Sequence, residues 1–200
     1  MTQTYPKEWR NVQEAMFEKA ADYILHALKS STISLTGPDD KLQHVLVEGR
    51  KDTPKRFASM MMEMLEGELY TNDEIVDLFK DKVFTEHTTH SILCKFDKIK
   101  TFSFCEHHLA LMYDLTITIE IDYNKVKNKK VKVIGLSKIP RICELVCKRL
   151  QLQERIATDI HYIVTKLLGL PLTVTIEGKH SCVSARGVKK DMIFTSQVNS

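Results

Sequence analysis

The sequence has 200 residues, 43% hydrophobic and 28% charged, with 29 basic against 26 acidic side chains and a formal net charge of +3. That length supports one compact domain with a sizeable core, or one domain with a helical extension, and the composition is that of an ordinary globular protein. No apolar run approaches the roughly 20 residues of a membrane span, and no opening segment has the basic, apolar and small-residue sections of a signal peptide; a cytoplasmic protein with no membrane partner is expected.

The elements divide by their hydrophobic period. Val12, Met16, Ala20, Ile24 and Leu28 form one stripe over residues 11–29, the spacing of an amphipathic helix. After the turn LTGPDD at 35–40, the segment DTPKRFASMMMEMLEG carries its own boundaries: Thr53 as a cap, Pro54 in the first turn, Phe57, Met61, Met64 and Leu65 as the stripe, and Gly67 after the end. Its methionines read as core packing. A short helix follows from Thr71 or Asn72, with Ile75, Leu78 and Phe79 inward.

From about residue 91 the period becomes two. Leu115, Ile117, Ile119 and Ile121 alternate with Thr116, Thr118, Glu120 and Asp122, and Leu172, Val174 and Ile176 repeat the pattern against Thr173, Thr175 and Glu177. Between these strands lie two helical stretches. One starts near Ser137 and buries Ile142, Leu145 and Val146; the other buries Ile156, Ile160, Ile163, Val164 and Leu167 and stops at Gly169 before Pro171. The basic run KVKNKKVK at 125–132 has no aromatic residue to stack on bases and reads as a solvated tip between strands, so no nucleic-acid partner is expected. The expected class is α+β with a mainly antiparallel sheet, divided as an N-terminal helical region over 1–90 and a second region over 91–200.

Five cysteines, at 94, 105, 143, 147 and 182, are odd in number and irregular in spacing, so thiols are expected and not a disulfide framework. Cys105 and His108, in CEHH, are close enough in sequence to reach one metal ion; the same residues also suit a buried structural turn. His180 and Cys182 share a face if the strand from Leu172 continues to 182, a condition that a bulge at Gly178 would break. Cys143 and Cys147 sit i, i+4 among apolar neighbours and read as buried thiols. No Walker loop and no dinucleotide fingerprint occurs. Phosphate binding, if present, must come from side-chain cations such as Lys138 and Arg141, with Ser137, at a helix start.

In order and approximate spacing, DTPKRFASMM, FCEHH, VIGLSKIPRI, LQLQERIATDI and EGKHSCVSARGV resemble GTP cyclohydrolase I over roughly residues 48–190. The resemblance implies the tunnelling fold, in which antiparallel sheets from several subunits close into a barrel, usually as a decamer with active sites at subunit interfaces. It implies a zinc (Zn2+) cofactor and conversion of GTP and water to 7,8-dihydroneopterin triphosphate and formate, the first step toward folate-type pterins or 7-deazaguanines. Residue by residue, it implies zinc ligands at Cys105, His108 and Cys182, and acid/base histidines at His107 and His180. Glu154, with Gln153 beside it, would anchor guanine, and Ser137, Lys138, Arg141, Arg186 and Arg56 would contact the triphosphate.

The sequence also departs from that pattern. LALMYDL follows CEHH where the family has a segment with proline and glycine, and DMIFTS is about two residues shorter than the usual run after ARGVKK. Two other readings therefore stand beside the first. One is a divergent paralogue that stops at ring opening or takes another purine nucleotide; the other is a non-catalytic nucleotide-binding protein of the same fold.

Overall fold

The computed structural model describes residues 7–33, 52–88, 90, 92–124 and 129–200. The turn at 35–40, Leu28 as a side chain, and the basic tip at 125–128 lie outside the described residues. The described residues divide into two compact units, the first ending at Leu65 and the second running from Glu66 to Ser200.

In the first unit, helices α1 (Lys7–Ile33) and α2 (Thr53–Met64) pack against each other. Asp52, not Thr53, occupies the cap position of α2, with Pro54 in the first turn where its missing N–H leaves no bond unmade. Ala58 and Met61 are buried, whereas Met60 is exposed. The expected stripe of α1 is not core: Val12, Met16 and Ile24 are 53%, 67% and 54% exposed. An amphipathic period identifies a face that wants cover, but not what covers it.

In the second unit a short helix, α3 (Asn72–Phe79), starts at a capping box in which Thr71 accepts from the Glu74 amide and Glu74 accepts from the Thr71 amide. Ile75 and Phe79 are buried as expected, but Leu78 lies at the surface. Strands β1 (Val83–Thr88) and β4 (Lys129–Ile134) pair as a two-stranded antiparallel sheet. The main sheet has the order β5 (Leu150–Gln151), β2 (Leu93–Cys105), β3 (Ala110–Asp122), β6 (Leu172–His180) and β7 (Phe194–Asn199). All its pairs are antiparallel except the short β2–β5 ladder. It curls as a half-barrel.

Helices α4 (Lys138–Cys147) and α5 (Gln153–Leu168) pack on this sheet, α4 against β2 and α5 against β6 and β7. The alternation in β3 and β6 is why: Leu115, Ile117, Ile119, Val174 and Ile176 are all fully buried, meeting Ile142, Val146, Ile156, Ile160, Ile163 and Val164 in one core. Leu145 is only partly buried at its rim. Gly169 ends α5 with a left-handed φ of 67°, as its position before Pro171 predicts.

Arg149, placed between α4 and β5, holds the α3 side of the unit to α5. Its guanidinium donates to the carbonyls of Gly67 and Tyr70 and to Asn72 Oδ1, and pairs with Asp159 at 3.3 Å. Both partners of that pair are mostly buried. Arg149→Ala leaves the Asp159 carboxylate and two carbonyls short of donors, and a loss of about 3–5 kcal/mol in unfolding free energy is expected from denaturant titration.

Candidate active site

The end of β2 delivers the first candidate ligand. Cys105 is buried and pairs across the hairpin with Ala110; on its other side it pairs in parallel with Gln151 of β5. The two-residue strand β5 thus ties the ligand turn to the start of α5. The Glu106 amide donates to the Gln151 carbonyl, and the Glu106 carboxylate takes two guanidinium bonds from Arg155, at 2.6 and 3.2 Å. This hydrogen-bonded partner keeps the Glu106 carboxyl below its ordinary value. Sequence reasoning missed the pair, since no local spacing rule joins two residues 49 positions apart.

Residues 106–109 form the tight turn between β2 and β3 that presents His107 and His108. Leu109 closes it with φ 48°, a left-handed conformation rare for a branched side chain, and is 63% exposed. Leu109→Gly removes that strain and little burial; unfolding free energy is expected to rise by about 1 kcal/mol, measured by denaturant titration.

The third candidate ligand arrives differently from the parity expectation. β6 ends at His180, and Cys182 lies in a single helical turn, α6 (Ser181–Ser184). No bulge occurs on β6. The register shift falls on β3 between Tyr113 and Thr116, where Asp114 takes φ 51°. Gly178 lies opposite that shift and has no side chain because Leu115 is there: a Cβ on Gly178 would come within 2.1 Å of Leu115 Cδ2. The helical turn is held by Tyr113, whose hydroxyl lies 3.0 Å from Ser184 Oγ, which itself donates to the His180 carbonyl.

The ligand atoms of Cys105, His108 and Cys182 all lie within 4.8 Å of one another, and Cys105 Sγ is 4.0 Å from His108 Nδ1. A tetrahedral zinc centre separates thiolate and imidazole ligand atoms by roughly 3.5–3.8 Å, so the triangle fits such an ion with a small contraction. Its electrostatics point the same way. Burial and then the neighbouring Cys105 push the Cys182 thiol up, and a cation bound between the ligand atoms would favour its thiolate. Cys143 and Cys147 differ: burial pushes the Cys147 thiol up to about 12 and Cys143 well above its ordinary value, and both sit in the apolar core as inert thiols.

A cavity of about 280 Å³ opens beside this triangle, lined also by His107, Gln153, Glu154, His180 and Phe194. The structure therefore brings together three candidate ligands, both candidate acid/base histidines and the candidate guanine anchor. His107 and His108 meet edge to face at 6.2 Å, and both are exposed. His180 is half-buried; burial lowers its imidazole below the ordinary value, with the Glu154 charge opposing. Gln153 is 1% exposed, its side chain turned into the protein.

Among the described residues no lysine or arginine lines the cavity. Ser137, Lys138 and Arg141 lie together at the start of α4, where the Ser137 side chain makes no capping bond. Arg186 is exposed just beyond α6, close enough for its charge to act on Cys182. Arg56 belongs to the first unit, on α2, and forms a long ion pair with Asp52 at 4.0 Å.

Residues 41–199 match the family model of GTP cyclohydrolase I. The chain belongs to the GTP cyclohydrolase I family. Among its relatives, the GTP cyclohydrolase 1 of Clostridium botulinum (strain Loch Maree / Type A3) is 44% identical over 149 residues, 72% of each chain. Those of Clostridium acetobutylicum and Clostridium beijerinckii are 43% and 42% identical over 155 and 153 residues, each covering 74% of this chain and 75% of the relative. The matched region contains every candidate site residue named above and none of α1. No helix among the described residues is long and apolar enough to cross a membrane.

Proposed function

We propose that this chain is a zinc-dependent GTP cyclohydrolase I, converting GTP and water to 7,8-dihydroneopterin triphosphate and formate. The observation that carries the reading is the Cys105–His108–Cys182 triangle opening onto the same cavity as His107, His180 and Glu154. Two thiols and an imidazole suit zinc, which in such a site supplies an activated water at neutral pH.

The remaining work falls to side chains of the chain itself. Glu154, at the first turn of α5, accepts hydrogen bonds from the N–H groups on the pyrimidine edge of guanine and so sets the five-membered ring toward the Cys105–His108–Cys182 side. Opening that ring requires a proton at the departing nitrogen, and the later ribose rearrangement requires protons taken and returned at carbon. Imidazole does both near neutral pH. His180 and His107 are the two imidazoles available beside the ligands, and we assign them these transfers.

The triphosphate does not react, so its contacts contribute binding and orientation. A cavity of about 280 Å³ without a lining cation is too small and too poor in positive charge for the whole nucleotide. This supports a site completed by another copy of the chain, which would bring Ser137, Lys138 and Arg141, with Arg186 and Arg56 as further contacts. Two further features support assembly: among the described residues the outer edges of β7 and of much of β2 have no pairing strand, and Val12, Met16 and Ile24 of α1 are exposed. We therefore propose a homo-oligomer, a decamer in which these sheets close the barrel, with 91–200 as the core of the catalytic domain. Free thiols at the metal site suit a cytoplasmic setting, and the product would feed folate-type pterins or 7-deazaguanines.

Incubating zinc-loaded protein with GTP and recording both the fluorescence of the oxidised product and formate tests this reading. Pterin and formate in equal amounts are expected. Formate without pterin would identify an enzyme arrested after ring opening, and GTP binding with neither product would overturn the catalytic assignment.

A further inference from the structure

Gln153 sits at the first turn of α5 beside Glu154, yet its side chain does not face the cavity as a free amide. Its Nε2 lies 3.1 Å from the Ile176 carbonyl, 2.9 Å from the Phe194 carbonyl and 3.4 Å from Ser196 Oγ. Carbonyl oxygens only accept, so the two amide hydrogens are committed to β6 and β7. The network itself thereby fixes which end of the amide is nitrogen and which is oxygen. The remaining end, Oε1, is 2.9 Å from His180 Nε2.

An amide oxygen can only accept, so the hydrogen between them belongs to His180 Nε2, and the neutral ring carries its lone pair on Nδ1. Phe194 meets the same ring edge to face at 6.1 Å and 81°, which restricts its rotation. Gln153 is almost wholly buried, and its Oε1 is held against Nε2 by the amide hydrogens committed to β6 and β7.

We propose that Gln153 is a positioning residue that acts through His180: it holds the ring as the Nε2–H tautomer and makes Nδ1 the atom that exchanges a proton with the substrate. This deepens the reading above and rests on it for the proton-transfer role. It also separates Gln153 from Glu154. Glu154 meets the base, while the hydrogen bonds of the Gln153 side chain go to Ile176, Phe194, Ser196 and His180.

The test compares zinc-loaded wild type, Gln153→Met, His180→Ala and the double variant in GTP turnover. Methionine keeps the volume and removes both the donors and the acceptor. Gln153→Met is expected to lower kcat by about 10- to 100-fold, the range for partners that orient a site group, with KM for GTP unchanged. In the His180→Ala background it should cost nothing further, which a merely structural residue would not show. A raised KM with kcat kept would make Gln153 a guanine contact, and an equal loss in both backgrounds would make it structural; either overturns the proposal.

A second measurement does not depend on the variant folding. Solid-state NMR of sedimented wild-type protein labelled with ¹⁵N-histidine, with His180 assigned by its absence in His180→Ala, should show a protonated Nε2 and an unprotonated Nδ1. The opposite tautomer would overturn the proposal. If the wild type turns over no GTP at all, the proposed function fails, while the tautomer at His180 is still decided by the spectrum.

Discussion

Replacing Cys182 with serine is expected to remove zinc and turnover together. Cys105 ends β2 and His108 lies in the tight turn that follows it, and only Cys182, brought by the helical turn after β6, closes the triangle from another part of the chain. A serine hydroxyl keeps the size but is a far poorer ligand for a borderline-soft cation than a thiolate. The two remaining groups cannot by themselves fix a tetrahedral site. Metal content after gel filtration should fall well below one zinc per chain, and formate release should fall with it. The fold should survive, since Cys182 is only partly buried and the Tyr113–Ser184 contact that holds its turn remains. Full zinc retention in this variant would remove Cys182 from the ligand set.

His180→Ala is expected to separate the two properties that Cys182→Ser loses jointly. His180 ends β6, bonded to Gln153 through Nε2, and is not a member of the triangle. Zinc should stay at one per chain. Turnover should fall by about 10²- to 10⁴-fold, the usual contribution of a positioned general acid or base. Parallel metal analysis and steady-state kinetics check both halves. Loss of zinc from His180→Ala would make this histidine a ligand and overturn the division of roles.

Much of the second unit was legible in the sequence because its two periods are strict. The alternation through Leu115–Ile121 and Leu172–Ile176 marks the buried faces of β3 and β6, and Gly169 marks the end of α5. The candidate ligand and histidine positions came from motifs, not from period, and the structure places them around one cavity. What was not legible came from contacts between distant segments. The two-residue strand β5 is too short to carry a pattern, yet it registers Cys105 against Gln151. The Glu106–Arg155 pair and the burial of the Gln153 amide depend on how α5 meets the hairpin turn.

His180 and Cys182 do approach one cavity, but a helical turn, not a continued strand, delivers the cysteine. The altered segment after CEHH has a comparable explanation. It lacks glycine, but Asp114 adopts the left-handed backbone itself, a conformation that aspartate tolerates better than most residues. The α1 stripe shows the limit of period alone, since Val12 and Met16 repeat correctly and remain exposed.

The most direct test is a zinc titration of metal-stripped protein, with formate release from GTP followed at each addition. Activity is predicted to be absent without metal, to rise linearly and to saturate at one zinc per chain, with no response in Cys182→Ser. Full formate release from metal-stripped protein, or an equal zinc response in Cys182→Ser, would contradict the assignment of the Cys105–His108–Cys182 triangle as the centre of the reaction.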